Sequence, residues 1–523
     1  MHNIQQSSGP ATLGFRSTIM AMEQPLSATP QLLPTLATTM LLSGGDERLT
    51  INPHTGLNRY LTSPTPRDDE GRFSSSTANT ITHLGFQSAL ADLNHLLTEN
   101  RHERTSAHAW IETQRTRLRT LFGNKNSDVV FAGSGTDAEL LALSLATLAV
   151  GSPITNILAA PDETGSGVPF AARGEHFQTS SPFGGSKPFG HRLDGFEHLE
   201  IVIEAVTIRQ CDGKLRPSKD VDDDAFRTAS VALAKGHSVL FHLLDVSKTG
   251  SSGPSVEVAR QISALAPGRV AVVVDCCQLR SSAAQIREYA DEGFLVVLTG
   301  SKFAGGPPFS GAMIVPNEIL DKVKLNKANL PTGLRAFTAL LDWPEHVRPK
   351  AATVAGAYAN IGLALRWSAS LREIDRFNAL PLNLAKQVAE AFDIYVRKTA
   401  ESSRYHCCVE SRQLHADWAR TIIPVAICRR DGAPASLHDA RKLQLGLLDD
   451  SGRQSRGFER RFHVGQPVMV GENATLRVCI SAPMISDIVE RIARTLDFER
   501  ELAPLKTLID DLFWKSEYLI AAG

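Results

Sequence analysis

The feature that most constrains the fold is a series of short apolar runs separated by segments with helical spacing. The runs cover residues 128–132, 154–160, 199–206, 239–246, 270–274, 294–299 and 311–315. The helical segments cover residues 107–122, 137–150, 224–234 and 256–265. Buried strands that alternate with helices are typical of a mostly parallel sheet covered on both faces. We therefore predict an α/β fold whose large domain contains such a sheet.

The sequence pattern changes after Pro344, and 523 residues are too many for one hydrophobic core. Helical spacing covers residues 351–370, 374–398, 437–448 and 485–512, and strand patterns cover residues 418–428 and 475–481. These elements predict a smaller C-terminal α/β domain. We expect four segments, listed in chain order: a flexible tail at 1–45, an arm with substrate contacts at 46–104, the large domain at 105–345 and the small domain at 346–523.

Charge and cysteine usage limit the classes of partner and compartment. The chain has 55 basic and 56 acidic side chains, so it lacks the basic surplus of a nucleic-acid binder. No apolar run approaches the roughly 18 residues of a membrane span. The seven cysteines have no CxxC spacing, the histidines have no metal-site spacing, and the first 25 residues have no secretory pattern. We expect a cytoplasmic protein with no metal, nucleic-acid or membrane partner.

The chemistry-bearing residues follow the strands, because ligands of open α/β sheets bind at the carboxyl ends of strands. A glycine-rich turn with Gly135 and Thr136 leads from the first run into a helix. Its N–H groups suit a phosphate, although an ordinary turn has the same residues. Asp275 and Gln278 follow the run at 270–274. A buried carboxylate needs a partner, but an aspartate here is also a common helix cap.

Lys302 follows the next run, with Thr299 and Ser301 just before it and a Gly-Pro-rich loop after it. A lysine shielded from water has a lowered pKa and can form a Schiff base with an aldehyde. The alternative is a surface lysine in a loop. The position of Lys302 beside two hydroxyl groups favours the Schiff-base role over a surface lysine.

The order of these parts resembles the fold-type I pyridoxal-phosphate (PLP) enzymes. A glycine-rich turn precedes Asp-x-x-Gln, and Ser-Lys ends 27 residues after the aspartate. Within that group the chain is similar to the class V aminotransferases, which include cysteine desulfurases and related lyases. The resemblance covers about residues 105–490, including the Ser-Lys-Thr-Gly of residues 247–250 and the strand that carries Arg477.

The resemblance implies a role for each matching residue. Lys302 would hold PLP as a Schiff base, Asp275 would pair with the ring nitrogen, and Arg477 would bind the substrate carboxylate. Contacts to the ring hydroxyl are implied for Gln278, Ser247 and Thr249. Contacts to the phosphate are implied for Gly135, Thr136, Thr299 and Ser301.

The chain departs from that group on the loop where the group commonly places a ring over the cofactor. Here residues 161–168 contain no ring, so the stacking residue stays unassigned. Glu163 and Thr164 stand where the cofactor face would be covered, and a capped turn explains them equally well. In the arm, Asn58 lies in a long irregular segment and is a candidate substrate contact.

Three functions remain open from the sequence. The first is amino-group transfer from an amino acid to a keto acid, favoured by Arg477 and by the absence of a mobile cysteine loop. The second is a PLP-dependent lyase, such as a carbon–sulfur lyase or desulfurase, or a decarboxylase. The third is a regulator on the same fold, which the lack of a DNA-binding pattern disfavours. The resemblance also implies a homodimer with the active site at the interface.

Overall fold

A computed structural model describes residues 32–98, 103–185, 187–411, 416–449 and 460–522. The strands are β1 (Glu70–Phe73), β2 (Ser127–Ala132), β3 (Ile154–Ala159), β4 (Ile201–Val206), β5 (Ser238–Leu244), β6 (Val270–Cys276), β7 (Leu295–Thr299), β8 (Gly311–Pro316), β9 (His406–Cys408), β10 (Ile422–Ile427), β11 (Arg461–Val470) and β12 (Asn473–Cys479). The helices are α1 (Leu32–Leu41), α2 (His83–Thr98), α3 (Glu103–Phe122), α4 (Gly135–Ala149), α5 (Val168–Ala171), α6 (Ser218–Ala234), α7 (Val256–Leu265), α8 (Ala283–Asp291), α9 (Asn317–Leu325), α10 (Arg348–Ala351), α11 (Ile361–Asn378), α12 (Leu382–Glu401), α13 (Leu437–Leu447), α14 (Ala482–Thr495) and α15 (Phe498–Ala522).

The large sheet has seven strands in the order β2-β8-β7-β6-β5-β3-β4. Strands β4, β3, β5, β6 and β7 run parallel, and β8 lies antiparallel between β2 and β7. The carboxyl ends of the parallel strands therefore meet at one edge of the sheet. This arrangement confirms the mostly parallel sheet expected from the alternating pattern.

Helices cover both faces of this sheet, because its strands are apolar on both sides. Val129 and Phe131 of β2 pack in the core shared with α3, α6, α7, α8 and α11. Val130 and Ala132 of the same strand pack in the core shared with α4 and α9. The two cores make the sheet a rigid support for the residues at its edge.

A second sheet has five strands in the order β1-β11-β12-β10-β9. The sequence predicted only the strands that became β10 and β12. Strand β11 contains Gly465 and Pro467 and has a register shift between Gly465 and Val468, so its pattern is irregular. Strand β1 has only four residues, comes from the arm and pairs in parallel with β11. The arm is thereby built into the C-terminal sheet.

The predicted long helix at 485–512 is two helices, α14 and α15. Leu496 ends α14 with φ 57°, the left-handed conformation that stops a helix. The apolar spacing continues on both sides of this residue, which is why the sequence pattern showed no interruption. Ile485, Ile488 and Val489 from α14 and Leu505 and Ile509 from α15 pack in one core with the second sheet.

Helix α1 lies inside the segment 1–45 that is predicted as a flexible tail. Arg366 of α11 is fully buried and donates to the carbonyl oxygens of Leu41, Ser43 and Gly44 at distances of 2.7–3.3 Å. These bonds hold the end of α1 on the large domain. The rest of the predicted tail, residues 1–31, lies outside the described residues, and the four-segment division stays a prediction. In the part of the chain that is described, no helix combines the length and apolarity needed to cross a membrane.

Candidate active site

Cys277 marks the point where three of the predicted elements meet. Its N–H donates to Oδ1 of Asp275 at 2.9 Å, and its carbonyl oxygen accepts from the hydroxyl of Thr299 at 2.7 Å. A Cβ on Gly135 would lie 2.5 Å from its sulfur, so only glycine fits there. The nearby charges of Asp275 and Lys302 both act on the Cys277 thiol, whose pKa burial raises well above its ordinary value. The strand ends therefore bring the aspartate, the lysine and the glycine-rich turn together.

The glycine-rich turn leads into α4, and the N-terminus of this helix can bind an anion. Ser134 is the N-cap, and its side chain accepts from the N–H of Asp137 at 3.4 Å. The N–H groups of the following first-turn residues, Gly135 and Thr136, have no partner within the helix. They carry the partial positive charge of the helix N-terminus. This is the donor set that a phosphate needs.

The arm contributes a buried arginine next to this helix end. Arg48 pairs with Asp46 at 2.7 Å, and its guanidinium lies 3.8 Å from the carboxylate of Asp137. It also lies 4.7 Å from the ring centre of Phe309. Burial raises the pKa of Asp137 to about 6. The arm thus adds a cation close to the proposed phosphate position, which the sequence did not suggest.

Lys302 lies on a turn that the arm holds in place. The side-chain amide of Asn79 donates to the carbonyl oxygens of Ser301 at 2.9 Å and Lys302 at 2.6 Å. Lys302 itself is half-buried, and its amine makes no hydrogen bond or ion pair with the described residues. Its backbone is fixed while its amine stays available.

Asp275 and Gln278 have different surroundings. Asp275 is half-buried; its Oδ1 accepts from the N–H of Cys277 at 2.9 Å, and its carboxylate also forms a side-chain hydrogen bond with the Cys277 thiol. Gln278 is buried; it donates to the carbonyl oxygen of Ser76 at 3.1 Å and accepts from Arg280 at 2.7 Å. Gln278 therefore has less freedom to contact a ligand than the resemblance implied. Its predicted role stays a prediction.

Arg477 has an unused donor in a buried place. It is 2% exposed and donates to the carbonyl oxygen of Gln466 at 3.0 Å and to the hydroxyl of Thr77 at 3.0 Å. Its Nη1 makes no hydrogen bond to the described residues. Gly465 leaves room beside it, since a Cβ there would lie 2.9 Å from Cβ of Arg477. Burial lowers the pKa of Arg477 to about 10, which leaves it charged at neutral pH.

Three predicted site residues share one buried network around Arg209. The carboxylate of Glu163 accepts from Arg209, Ser247 and Thr249. Arg209 also donates to the hydroxyl of Thr249 at 3.0 Å and to Ser251 at 3.3 Å. These side chains support one another and tie the loops after β3 and β5 together. Their predicted contacts to cofactor or substrate stay predictions.

Lys248 lies between Ser247 and Thr249, and no role was predicted for it from the sequence. Its N–H donates to the carbonyl oxygen of Glu163 at 3.0 Å, which fixes its position. Its half-buried amine has no hydrogen bond or ion pair among the described residues. Burial lowers its pKa to about 7, and the nearby charges of Arg477 and Lys302 contribute to this lowering. A second amine therefore belongs to this site.

Asn58 and Thr164 have local roles in the structure. The side-chain oxygen of Asn58 accepts from the N–H groups of Tyr60 and Thr62 at 2.9 and 3.2 Å, which closes a turn. The hydroxyl of Thr164 donates to the carbonyl oxygen of Pro161 at 3.1 Å. These bonds explain both residues as turn formers, and the predicted substrate contacts stay predictions.

The segment Ser74 to Asn79 connects most of the site, and sequence reasoning treated it only as an irregular stretch. Ser75 accepts from Arg280 at 3.0 Å, Ser76 accepts from Gln278, Thr77 accepts from Arg477, and Asn79 donates to Lys302. The signal available in the sequence was a dense run of small polar residues without periodicity. Such a run is buried only when it has many partners.

No protein-family model matches the sequence, and no curated protein matches it. Solved structures match its fold. Oryza sativa TDC, solved with PLP and tryptamine, is 13% identical with a TM-score of 0.50, over 98% of this chain and 93% of that one. Rhodiola rosea 4-hydroxyphenylacetaldehyde synthase is 10% identical with a TM-score of 0.50, over 99% of this chain and 93% of that one. A NifS-like protein is 10% identical with a TM-score of 0.50, over 82% and 100%.

These likenesses establish the fold alone. The chain has the fold-type I architecture, as the sequence resemblance predicted. In the described ranges, no group of three His, Cys, Asp or Glu side chains is arranged to hold a metal ion.

Proposed function

We propose that this chain is a PLP-dependent enzyme that acts on an amino acid. One observation carries the proposal: Asp275, Gly135 and Thr299 all contact Cys277, and the charge of Lys302 acts on the same residue. A carboxylate, an available amine and a helix N-terminus are thereby gathered at the sheet edge where α/β proteins bind ligands. The shared fold supports the same cofactor, since the TDC structure contains PLP.

The residues present fit PLP. Lys302 offers an amine for its aldehyde, Asp275 a carboxylate for its ring nitrogen, and Gly135 and Thr136 offer N–H groups for its phosphate. Bound there, PLP supplies an electron sink for charge that develops at the substrate Cα. Asp275 holds the proton of the ring nitrogen, and Asn79 keeps the Lys302 backbone in place.

Arg477 supports an amino acid as the substrate. Its free Nη1 is a charge-assisted donor in a buried place, and a planar guanidinium recognises a carboxylate best. Binding by Arg477 would stabilise the negative charge of the substrate carboxylate. A carboxylate stabilised in this way stays on the substrate and is not lost as carbon dioxide. Retention favours amino-group transfer to a keto acid as the leading reaction.

A second candidate is a reaction in which the carboxylate is lost. The matches that span 98% and 99% of this chain are the TDC structure with tryptamine, an amine without a carboxylate, and an aldehyde synthase. These matches extend over the arm, whereas the NifS-like protein matches 82% of the chain. This difference in coverage keeps a decarboxylase-type lyase as the alternative.

The test is to incubate the purified protein with PLP and record the absorption spectrum before and after sodium borohydride reduction. We expect a visible absorption band that reduction removes. A peptide map should then show the reduced pyridoxyl group attached to Lys302. Lys302→Ala should lack the band, whereas Lys322→Ala, at a half-buried lysine paired with Glu318 at 2.7 Å, should keep it. A Lys302→Ala protein with an unchanged spectrum and turnover would overturn the proposal.

The reaction is then assigned with a panel of amino acids. Amino-group transfer requires a keto acid for repeated turnover and gives a new amino acid. A lyase releases carbon dioxide, sulfide or pyruvate without any acceptor. The two outcomes separate the leading candidate from the alternative.

A homodimer remains a proposal. The Gly-Pro-rich loop after Lys302, residues 305–311, is buried within its own chain. Gly305, for example, has φ +80° and packs on Pro483. Support for the dimer is therefore the general prevalence of two-fold assemblies, and light scattering of the full chain tests it.

A further inference from the structure

The candidate site has more cationic side chains than carboxylates to pair with them. Arg477 and Arg280 are both buried, and within the described ranges neither forms an ion pair with a carboxylate. The half-buried amine of Lys248 likewise has no partner among the described residues. The buried carboxylate of Glu163 is already paired with Arg209. Buried charges are normally paired, so this imbalance indicates that the site binds an anionic ligand.

The loop that carries Lys248 packs against the strand that carries Arg477. Val246 of this loop shares one apolar cluster with Cys479 of β12. Lys248 follows Val246 by two positions, and Arg477 precedes Cys479 by two. Side chains two positions apart on a strand lie on the same face of its sheet, so Arg477 is on the face that contacts the loop. The packing of the backbone thus brings the two cations to one side of the site.

The segment Ser74 to Asn79 connects the same two cations to Lys302. The hydroxyl of Thr77 accepts from Arg477 at 3.0 Å, and the side-chain amide of Asn79 donates to the carbonyl oxygen of Lys302 at 2.6 Å. In agreement with this arrangement, the charges of Arg477 and Lys302 both act on the amine of Lys248, whose pKa burial lowers to about 7. The three side chains form one cationic cluster.

The members of this cluster differ in what they can bind. Under the proposed function, the amine of Lys302 is taken by PLP, and the free Nη1 of Arg477 is taken by the carboxylate on the substrate Cα. Each nitrogen of the Arg280 guanidinium already donates to an oxygen of the protein. Lys248 is the cation left without an anion. Its single charge matches a carboxylate better than a doubly charged phosphate.

We infer that the substrate is an amino acid with a second carboxylate in its side chain, which Lys248 binds while Arg477 binds the carboxylate on Cα. The inference rests on the proposed function and adds the class of substrate to it. The second carboxylate supplies the counter-charge that Lys248 lacks, and a hydrogen bond between two charged groups is stronger than one between neutral groups. A neutral side chain would leave the amine unpaired. Lys248 therefore determines specificity at a distance from the reacting Cα.

The kinetic test compares acids with amides of the same shape on the PLP-loaded enzyme at pH 7. We expect kcat/KM to be about 10- to 100-fold higher for aspartate or glutamate than for asparagine or glutamine. In Lys248→Met this preference should disappear through loss of activity on the acid, with activity on the amide kept within about threefold. Lys235→Met, at an exposed lysine after α6, is the matched control and should keep the preference.

Three kinetic outcomes would overturn the inference. The first is a wild type that accepts neither acid or does not prefer it to its amide. The second is a preference that persists in Lys248→Met. The third is an equal loss of activity on acid and amide in that variant, which would mean that the amine serves the reaction or the fold and not the side chain of the substrate.

A binding measurement tests the same contact without turnover. Calorimetry of the full chain, with and without PLP, compares succinate with its monoamide succinamate. We expect succinate to bind about tenfold more tightly to the wild type, and the two compounds to bind Lys248→Met equally well. Equal affinities in the wild type would overturn the inference. Failure of the wild type to take up PLP would instead overturn the proposed function, and the absorption spectrum records it separately from the affinity for succinate.

Discussion

The side-chain amide of Asn79 donates to the backbone carbonyl oxygens of Ser301 and Lys302 at 2.9 and 2.6 Å, although 223 positions separate Asn79 from Lys302. The backbone of Lys302 is thus held in part by the arm, and its carbonyl oxygen also accepts from the N–H of Gly305 at 2.9 Å. Asn79 is 3% exposed, so these carbonyl groups have little access to water. The arm is for this reason part of the site.

We expect Asn79→Ala to lower the free energy of unfolding by about 1–3 kcal/mol, because it leaves the carbonyl group of Ser301 without its donor and leaves Lys302 with only the donor from Gly305. Urea denaturation of the full chain measures this change. Asn126→Ala, at an exposed asparagine, is the control and should stay within about 0.5 kcal/mol of the wild type. The turnover of Asn79→Ala should fall as well, since the lysine loses its fixed position. Equal stabilities for the two variants would contradict the assignment.

A second prediction concerns the charge of Asp275. Asp275→Asn keeps the size of the side chain and removes the charge that holds a proton on the ring nitrogen. We expect PLP content to be retained and turnover to fall by at least about tenfold, beyond the roughly 1.5–3 kcal/mol of one charge-assisted hydrogen bond. Asp321→Asn, at an exposed position on α9, provides the control. A loss smaller than tenfold would mean that Asp275 only fixes the turn through its bond to Cys277.

The large sheet and the strand-end residues were predictable from the sequence because their signals are local. Buried strands have continuous apolar runs, and Asp275 and Lys302 stand directly after such runs. The second sheet was less predictable. Strand β1 has no apolar run, and its pairing with β11 joins residues almost 400 positions apart. No local pattern records a pairing of that kind.

The partners of the site residues were not predictable for the same reason. Glu163, Ser247 and Thr249 were predicted to contact a ligand because no residue close to them in the sequence indicates a protein partner for their side chains. In the structure Arg209, 46 positions from Glu163, donates to its carboxylate. Lys248 was overlooked because a lysine in a loop is usually exposed, and its burial depends on packing beyond β5. Residue type and order indicate chemistry, whereas availability depends on tertiary contacts.

A third prediction separates carboxylate binding by Arg477 from a structural role. Arg477→Lys replaces a planar two-point donor with a single-point donor, so we expect KM for the amino acid to rise by about 10- to 100-fold. Turnover at saturation should change much less. The comparison compound is the corresponding amine, which lacks the carboxylate, and its affinity is measured as that of an inhibitor. Its affinity should be nearly unchanged in the variant, and equal losses for both compounds would indicate a purely structural arginine.

The last prediction concerns stability and pH at Lys248. Its pKa in the folded protein is about 7, below the ordinary value of 10.5, because burial disfavours the charged amine. A lysine whose pKa falls on folding lowers the free energy of unfolding. The full reduction is present below pH 7, and it disappears as the pH rises toward 10.5. Lys248→Met removes the penalty. We therefore expect the variant to be more stable than the wild type at pH 6, on the order of 2 kcal/mol once partial exposure is allowed for.

Thermal unfolding of the PLP-free protein between pH 6 and pH 10 measures this effect. The informative quantity is the change in the difference between variant and wild type across that range, because the packing of the methionine side chain adds a constant. The advantage of Lys248→Met should shrink steadily as the pH rises. Lys235→Met, at an exposed lysine after α6, should show no such trend. A difference for Lys248→Met that is flat across the range would show that its amine reaches water and keeps an ordinary lysine pKa.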